Sequence, residues 1–482
     1  MSLPQDLDMD KLPTQPYSSP RLLKWLYCTQ RVSASLALLP YWTIKYAIGH
    51  RPRPSWSIAE TLLIDFTRRV SAITDRAGVQ HATRDPCEEP RKCTLKETRF
   101  EWVPGIEGEL YVGAVVDEQV KPLKRVGTFI WERAEDVRED YAMLNAKDAE
   151  LSEESSDAGS VFQGRNSGTA GGDRGDLVGV YFHGGGYTHF SADECAQTSM
   201  IPRRLMQHDY FAAIHSVEYR LLPHPFPAAL QDALSVYANL LRCGVPAHKI
   251  VLIGDSAGGN IVLALARWIR DEKKLAAPGG LLLLSPWCDP SHSFPHSTTS
   301  YVPRPNPEDY LPDEPGARRL LVTSLLGNKP HSFLTSPYIS PASQLGPHGS
   351  FADFPPTFIH YGDAERLEEE IDSLVRGMKR DKVDLLDVEK TKDAVHDVLM
   401  VRFWNEEVRG EIYRRICEWL DRVVERGKRL DRGEDPNAPV AGSSGASRRR
   451  AKDVEAHGKV TAHVEPAKQD IEETGLRPKL HR

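Results

Sequence analysis

Ile250-Val251-Leu252-Ile253-Gly254-Asp255-Ser256-Ala257-Gly258-Gly259 is the stretch that decides the fold. Its first residues form an apolar run of strand length, and Ile261, Leu265, Trp268 and Ile269 then recur at helical spacing. Strand, sharp turn and helix follow one another, with Ser256 at the apex. Glycines flank the serine because such a turn is strained and leaves no room for Cβ atoms beside a nucleophile. A helix that starts there aims its first backbone N–H groups at the reacting centre. No other Gly-x-Ser-x-Gly occurs in the 482 residues. A glycine-rich turn can also serve packing alone, so the motif takes its meaning from its surroundings.

Upstream, the apolar run Leu177–Phe182 ends in His183-Gly184-Gly185-Gly186. Acyl transfer builds negative charge on a carbonyl oxygen, and preorganised N–H donors stabilise it. A glycine run after a strand lets the backbone approach a substrate closely. Gly185 and Gly186 are therefore expected as oxyanion donors, with Ala257 as the third. His183, at the strand end, reads as a residue that holds the glycine loop by hydrogen bonding rather than as a general base.

With Tyr219-Arg220-Leu221-Leu222-Pro223, Pro225-Phe226-Pro227-Ala228-Ala229, Asp232-Ala233-Leu234 and Ser285-Pro286-Trp287, these stretches resemble the hormone-sensitive-lipase branch of the α/β-hydrolases. The resemblance covers roughly residues 110–420, and its motifs stand in the branch's order. It implies an α/β-hydrolase fold: a mostly parallel eight-stranded sheet, helices on both faces and an N-terminal helical lid. It also implies a triad in the chain order serine, acid, histidine. Of the downstream histidines outside the lid, His457, His463 and His481 lie in a polar tail without apolar periodicity. His396 follows the apolar run Val383–Val388, where the family places its histidine. The family's acid stands two residues before a leucine at a helix start, which selects Glu365 in Gly362-Asp363-Ala364-Glu365-Arg366-Leu367. Many relatives have aspartate there, and Asp363 is the alternative. Gly184 and Asp255 complete the motifs as supporting residues.

The chemistry implied is serine ester hydrolysis, in which His396 takes the Ser256 proton, Glu365 orients the imidazole and the glycine loop receives the oxyanion. It requires no metal or organic cofactor. The seven cysteines include no Cys-x-x-Cys pair, so a zinc site lacks support. A net charge of −7 argues against general nucleic-acid binding. The odd, scattered cysteines argue against a secreted disulfide framework. Residues 1–10 lack the basic start and apolar core of a secretory signal. The expected residence is intracellular, cytoplasmic or peripherally membrane-associated.

Eight strands are expected: Leu110–Val116, Val126–Trp131, Leu177–Phe182, Phe211–Val217, Ile250–Gly254, Gly280–Leu284, Pro356–Tyr361 and Val383–Val388. Helices are expected at Ala192–Gln207, Pro227–Cys243, Ser256–Lys273, Leu367–Arg380 and Phe403–Arg426. Alternating strands and helices give a parallel sheet covered on both faces, with the first two strands pairing antiparallel. Residues 1–100 form an N-terminal lid or membrane-associated segment, 101–426 the catalytic domain and 427–482 a disordered charged tail. Within the catalytic domain, 133–176 reads as a disordered insertion, charged and then Ser/Gly-rich. In the N-terminal segment, Ser57 and Glu60 make a capping box before the stripe Ile58, Leu62, Phe66, Val70 and Ile73. Val32–Ile44 is uncharged and apolar, interrupted by Pro40, and shorter than the roughly 20 residues of a bilayer span. A lid is preferred over an anchor, completed by segments between Ser291 and Pro347.

The expected function is hydrolysis of carboxylic esters of apolar or bulky alcohols, with a small-molecule ester as the only assigned partner and possible surface contact with a membrane. Sterol and arylacetamide deacetylases of this type make a short acyl group plausible. The alternatives are a ligand-binding receptor on the same fold and a membrane-bound scaffold. The complete set of Ser256, His396 and a carboxylate disfavours the receptor.

Overall fold

The structure is a computed structural model that describes residues 20–77, 83–91, 94–132, 175–221, 223–294, 302–311, 313, 321–322, 325–347 and 349–436. The insertion expected at 133–176 and the charged tail fall almost wholly outside these residues.

Eight strands form one sheet: β1 Thr98–Pro104, β2 Arg125–Glu132, β3 Leu177–Phe182, β4 Phe211–Glu218, β5 Ile250–Asp255, β6 Gly280–Leu284, β7 Thr357–Gly362 and β8 Asp387–Thr391. Their order is β1-β2-β4-β3-β5-β6-β7-β8. β2 runs antiparallel to both β1 and β4, and every other neighbouring pair is parallel. This is the α/β-hydrolase fold the sequence implies.

The helices are α1 Arg21–Ala47, α2 Ile58–Ala77, α3 Met200–Leu205, α4 Ala228–Arg242, α5 Ala257–Glu272, α6 Glu368–Arg380 and α7 Glu406–Asp431. Strand periodicity sorts them onto two faces. Ile250 and Leu252 of central β5 join the core beneath α4, α5 and α6. Val251 and Ile253 join the opposite core, with α3 and α7. Because β5 is buried on both faces, its sequence is a continuous apolar run rather than an alternating one.

Three expectations are corrected. The first strand is Thr98–Pro104, not Leu110–Val116. The latter stretch is broken into short 3-10 turns by Gly108 and Gly113, at φ 59° and 64°. Its Tyr111 hydroxyl accepts from Asp117 N at 3.1 Å, so the chain curls on itself instead of pairing. In β1, Phe100 and Trp102 alternate with Arg99 and Glu101, and Phe100 packs edge-on against Phe129 of β2 at 5.1 Å. The helix expected at Ala192–Gln207 is regular only over Met200–Leu205, because Glu194 is used elsewhere. Its carboxylate accepts the backbone N–H groups of Lys96, Glu97 and Thr98 and so pins the start of β1. The last strand is Asp387–Thr391 rather than Val383–Val388. It pairs with β7 in a register that brings Thr391 opposite Gly362.

At the N-terminus the capping box forms as expected. Ser57 N donates to Glu60 Oε2 at 2.7 Å and Glu60 N to Ser57 Oγ at 3.1 Å. Pro40 does not end α1, which continues to Ala47 with the proline on its exposed side.

Candidate active site

Ser256 links β5 to α5 with φ 49° and ψ −115°, a conformation that a non-glycine residue adopts only when its surroundings impose it. The surroundings do so from both sides. Ser256 N donates to Leu284 O of β6 at 2.9 Å, and Ser256 O accepts from Trp287 N at 2.8 Å. The motif glycines let α5 settle onto the sheet: a Cβ at Gly258 would collide with Phe182 O, and one at Gly259 would lie 2.7 Å from Pro286 Cβ.

The glycine loop leaves the end of β3 beside the serine. Gly184 N donates to Asp255 Oδ2 at 2.9 Å, and the other Asp255 oxygen accepts from Tyr181 OH at 2.6 Å. Asp255 therefore ties the loop to the elbow. A Cβ on Gly184 would lie 3.1 Å from Ser256 Cβ. Gly185 and Gly186 have φ 106° and 60°, open to glycine and strained for other residues. Among the described residues, the amides of Gly185, Gly186 and Ala257 donate to no protein acceptor. His183 is buried, with Nδ1 2.7 Å from Gly184 O and its ring stacked on Tyr219. Burial lowers its pKa to about 4, so it sits neutral beneath the loop.

His396 follows β8 and Glu365 follows β7, both fully buried and both at the carboxyl end of the parallel strands, where open α/β sheets place their sites. Glu365 Oε2 lies 3.7 Å from His396 Nδ1, an ion-pair distance longer than a hydrogen bond. The same oxygen accepts from Ser285 Oγ at 2.6 Å. Asp363 is elsewhere: it accepts from Asp393 N at 2.6 Å and lies 3.9 Å from Arg53. Of the two acids weighed from sequence, Glu365 is thus the one brought to the histidine.

The other ring nitrogen has a partner that the sequence reading did not consider. His396 Nε2 is 3.0 Å from Asp397 Oδ2. No hydrogen bond joins His396 to Ser256 among the described residues. Asp309 also lines this pocket, accepting His396 N at 3.4 Å and Arg366 N at 2.9 Å. Three buried carboxyl groups (Asp309, Glu365, Asp397) therefore meet His396, and its charge also reaches a fourth, Asp255. Burial raises the pKa of each, and Asp255, which also feels Asp397, reaches about 8. Burial alone would keep His396 neutral; the charges of Asp397 and Glu365 outweigh it and hold the imidazole well above its usual range.

Ser285, Asp309 and Asp397 carry weight that the sequence reading did not give them. Ser285 Oγ holds Glu365 and accepts Asp397 N at 3.2 Å, joining the two carboxylate-bearing loops. Its Ser-Pro-Trp motif was a visible signal. Asp309 lies in a proline-rich segment without periodicity and gave none.

The N-terminal segment reaches this pocket through its connection to α2. Arg53 bonds Glu308 at 2.9 Å and Asn306 at 3.0 Å, and Trp56 donates to Asp393 O at 2.7 Å. Residues 306–309 in turn meet the His396 loop through Asp309.

A family described as alpha/beta hydrolase fold matches residues 179–400, a span that holds the glycine loop, Ser256, Glu365 and His396. The chain is 30% identical over 196 residues to an acetyl-hydrolase of Streptomyces hygroscopicus, covering 40% of this chain and 59% of that one. It is 31% identical over 103 residues to the human arylacetamide deacetylase-like 2, covering 20% of this chain and 25% of the relative. The alignments thus span less than two thirds of these relatives. A solved structure of a hormone-sensitive lipase from a metagenome library is 26% identical, with a TM-score of 0.45, covering 52% of this chain and 78% of that one. The family match and the two relatives support the hormone-sensitive-lipase-like branch of the α/β-hydrolases, the resemblance its motifs carry.

Proposed function

We propose that this protein is a serine hydrolase that cleaves carboxylic esters through Ser256, His396 and Glu365. The observation that carries the reading is the strained serine at φ 49° between β5 and α5, flanked by a glycine loop whose Gly185 and Gly186 amides donate to no protein acceptor among the described residues. Backbone strain held in place by packing is what an exposed nucleophile at a sharp turn requires.

In the proposed reaction, His396 Nε2 accepts the Ser256 proton as Oγ attacks the ester carbonyl. The amides of Gly185, Gly186 and Ala257 stabilise the oxyanion. Collapse of the tetrahedral intermediate expels the alcohol, which takes the proton from His396. Water, deprotonated by His396, then attacks the acyl-enzyme and releases the carboxylic acid and Ser256. Glu365 holds the imidazole in register and balances its charge, with Ser285 as its positioning partner. His396 must leave Asp397 and turn toward Ser256 for this cycle. Catalytic hydrogen bonds often form only in the substrate complex.

The relatives named for acetyl-ester and arylacetamide chemistry support a short acyl group on an apolar or bulky alcohol. The segment from Arg53 through α2 is read as part of a lid, since it braces residues 306–309 beside the His396 loop. A chain-length series of chromogenic esters tests the substrate class: turnover should peak at acetate or propionate and fall for long acyl chains. A peak at long chains would overturn the short-acyl assignment.

A further inference from the structure

The side of α1 that faces solvent carries no charge. At 3.6 residues per turn, Leu22, Trp25, Leu36, Tyr41, Ile44 and Ile48 fall within an arc of about 160°, and each is between 52% and 68% exposed. No charged residue of the helix lies in that arc. Arg31, Ser35 and Tyr46 turn inward, toward α2. Arg31 Nε donates to Arg69 O at 3.2 Å, Arg69 Nε to Ser35 Oγ at 3.1 Å, and Tyr46 bonds Asp65 of α2. This inverts the usual helix of a water-soluble domain, whose apolar stripe faces the core and whose outer side is charged. An exposed face of this kind, uncharged and largely apolar, marks an interaction surface.

We infer that α1 docks on the surface of an anionic lipid bilayer, lying in the interfacial plane with this face inserted. Charge selects the occupant. The helix holds Arg21, Lys24, Arg31 and Lys45 and no acidic residue. Arg21 and Lys45 border the apolar arc, each about 40° beyond one of its edges, as in interfacial helices that add headgroup attraction to apolar burial. Trp25 and Tyr41 are the residue types that settle at headgroup depth. A second copy of the chain would meet this face through a two-fold axis and bring like-charged margins together. Insertion lies flat: among the described residues no helix is long and apolar enough to cross a membrane.

The test uses the full chain, vesicles of phosphatidylcholine alone, and vesicles of phosphatidylcholine with phosphatidylserine. The comparison variant replaces Leu22, Leu36 and Ile44 with glutamine, all at exposed positions away from the site. The wild-type chain should co-sediment with the anionic vesicles and bind less as salt rises. The triple variant should lose more than about tenfold in partitioning, from the loss of three large apolar insertions. Its melting temperature and its turnover of a soluble short-chain ester should be unchanged. Equal binding by the variant, or no binding by the wild type, overturns the inference. So does a wild-type dimer in light scattering that the variant dissolves, because the face would then belong to a second copy.

Discussion

Asp397→Asn should move the acid limb of the pH–rate profile downward. A general base must be unprotonated to act, and kcat/KM reports its pKa in the free enzyme. Asp397 Oδ2 stands 3.0 Å from His396 Nε2, with both side chains no more than 3% exposed. At an effective dielectric of about 20, unit charges that close attract by about 5.5 kcal/mol, or about 4 pKa units. That is an upper bound, since burial raises the pKa of Asp397 and so disfavours its charged form. The range for a carboxylate beside an ionised partner is about 1–3 units. Asparagine keeps the shape and removes the charge. The wild-type limb should therefore lie above about 6.5, the usual histidine value, and the variant's limb about 1–3 units below the wild-type one. The assay is kcat/KM for a soluble acetate ester from acid to neutral pH, with the melting temperature as a fold control. An unmoved limb, or one that rises, in a variant of wild-type stability would refute the idea that Asp397 holds the proton on Nε2.

His396→Ala should cost several decades in kcat, close to the loss from the serine change, because the two act as a unit. Glu365→Gln should cost on the order of 10²–10⁴ in kcat, whereas Asp363→Asn should cost less than about tenfold; the reverse order in folded proteins would move the acid to Asp363. Ser285→Ala removes a hydrogen bond to a buried carboxylate and should destabilise by about 1.5–3 kcal/mol. It should also lower kcat with KM little changed; unaltered stability and kcat would show that Ser285 does not position Glu365. Gly258→Ala drives a methyl group into Phe182 O and should destabilise by about 1–3 kcal/mol or more, read by denaturant unfolding.

The elbow and the glycine loop were legible in the sequence because their chemistry is local. A strained serine and a close-packed helix start demand glycines at fixed neighbouring positions, and Gly254, Gly258 and Gly259 meet that demand. Central strands were legible for a similar reason: burial on both faces leaves an unbroken apolar run, as in Ile250–Ile253. β1 was missed although its alternation was present in Phe100 and Trp102, because the denser apolar run 110–116 drew the assignment. Two glycines in left-handed conformation turn that run into a half-buried loop instead. Apart from Glu365, the contacts around His396 were not legible. Ser285 and Glu365 meet across 80 residues, and Asp309 and His396 across 87, so only the closed sheet brings them together. The ring's choice between Asp397 and Ser256 depends on a side-chain orientation that residue spacing does not encode.

The most direct test of the central claim is labelling of the full chain with a fluorophosphonate, followed by peptide mapping of the adduct. A single adduct on Ser256, absent from Ser256→Ala together with ester turnover, and formed far more slowly in His396→Ala, is the result expected of a serine nucleophile with a histidine base. An adduct on another residue, or a folded Ser256→Ala protein that still turns over ester at the wild-type rate, would contradict it.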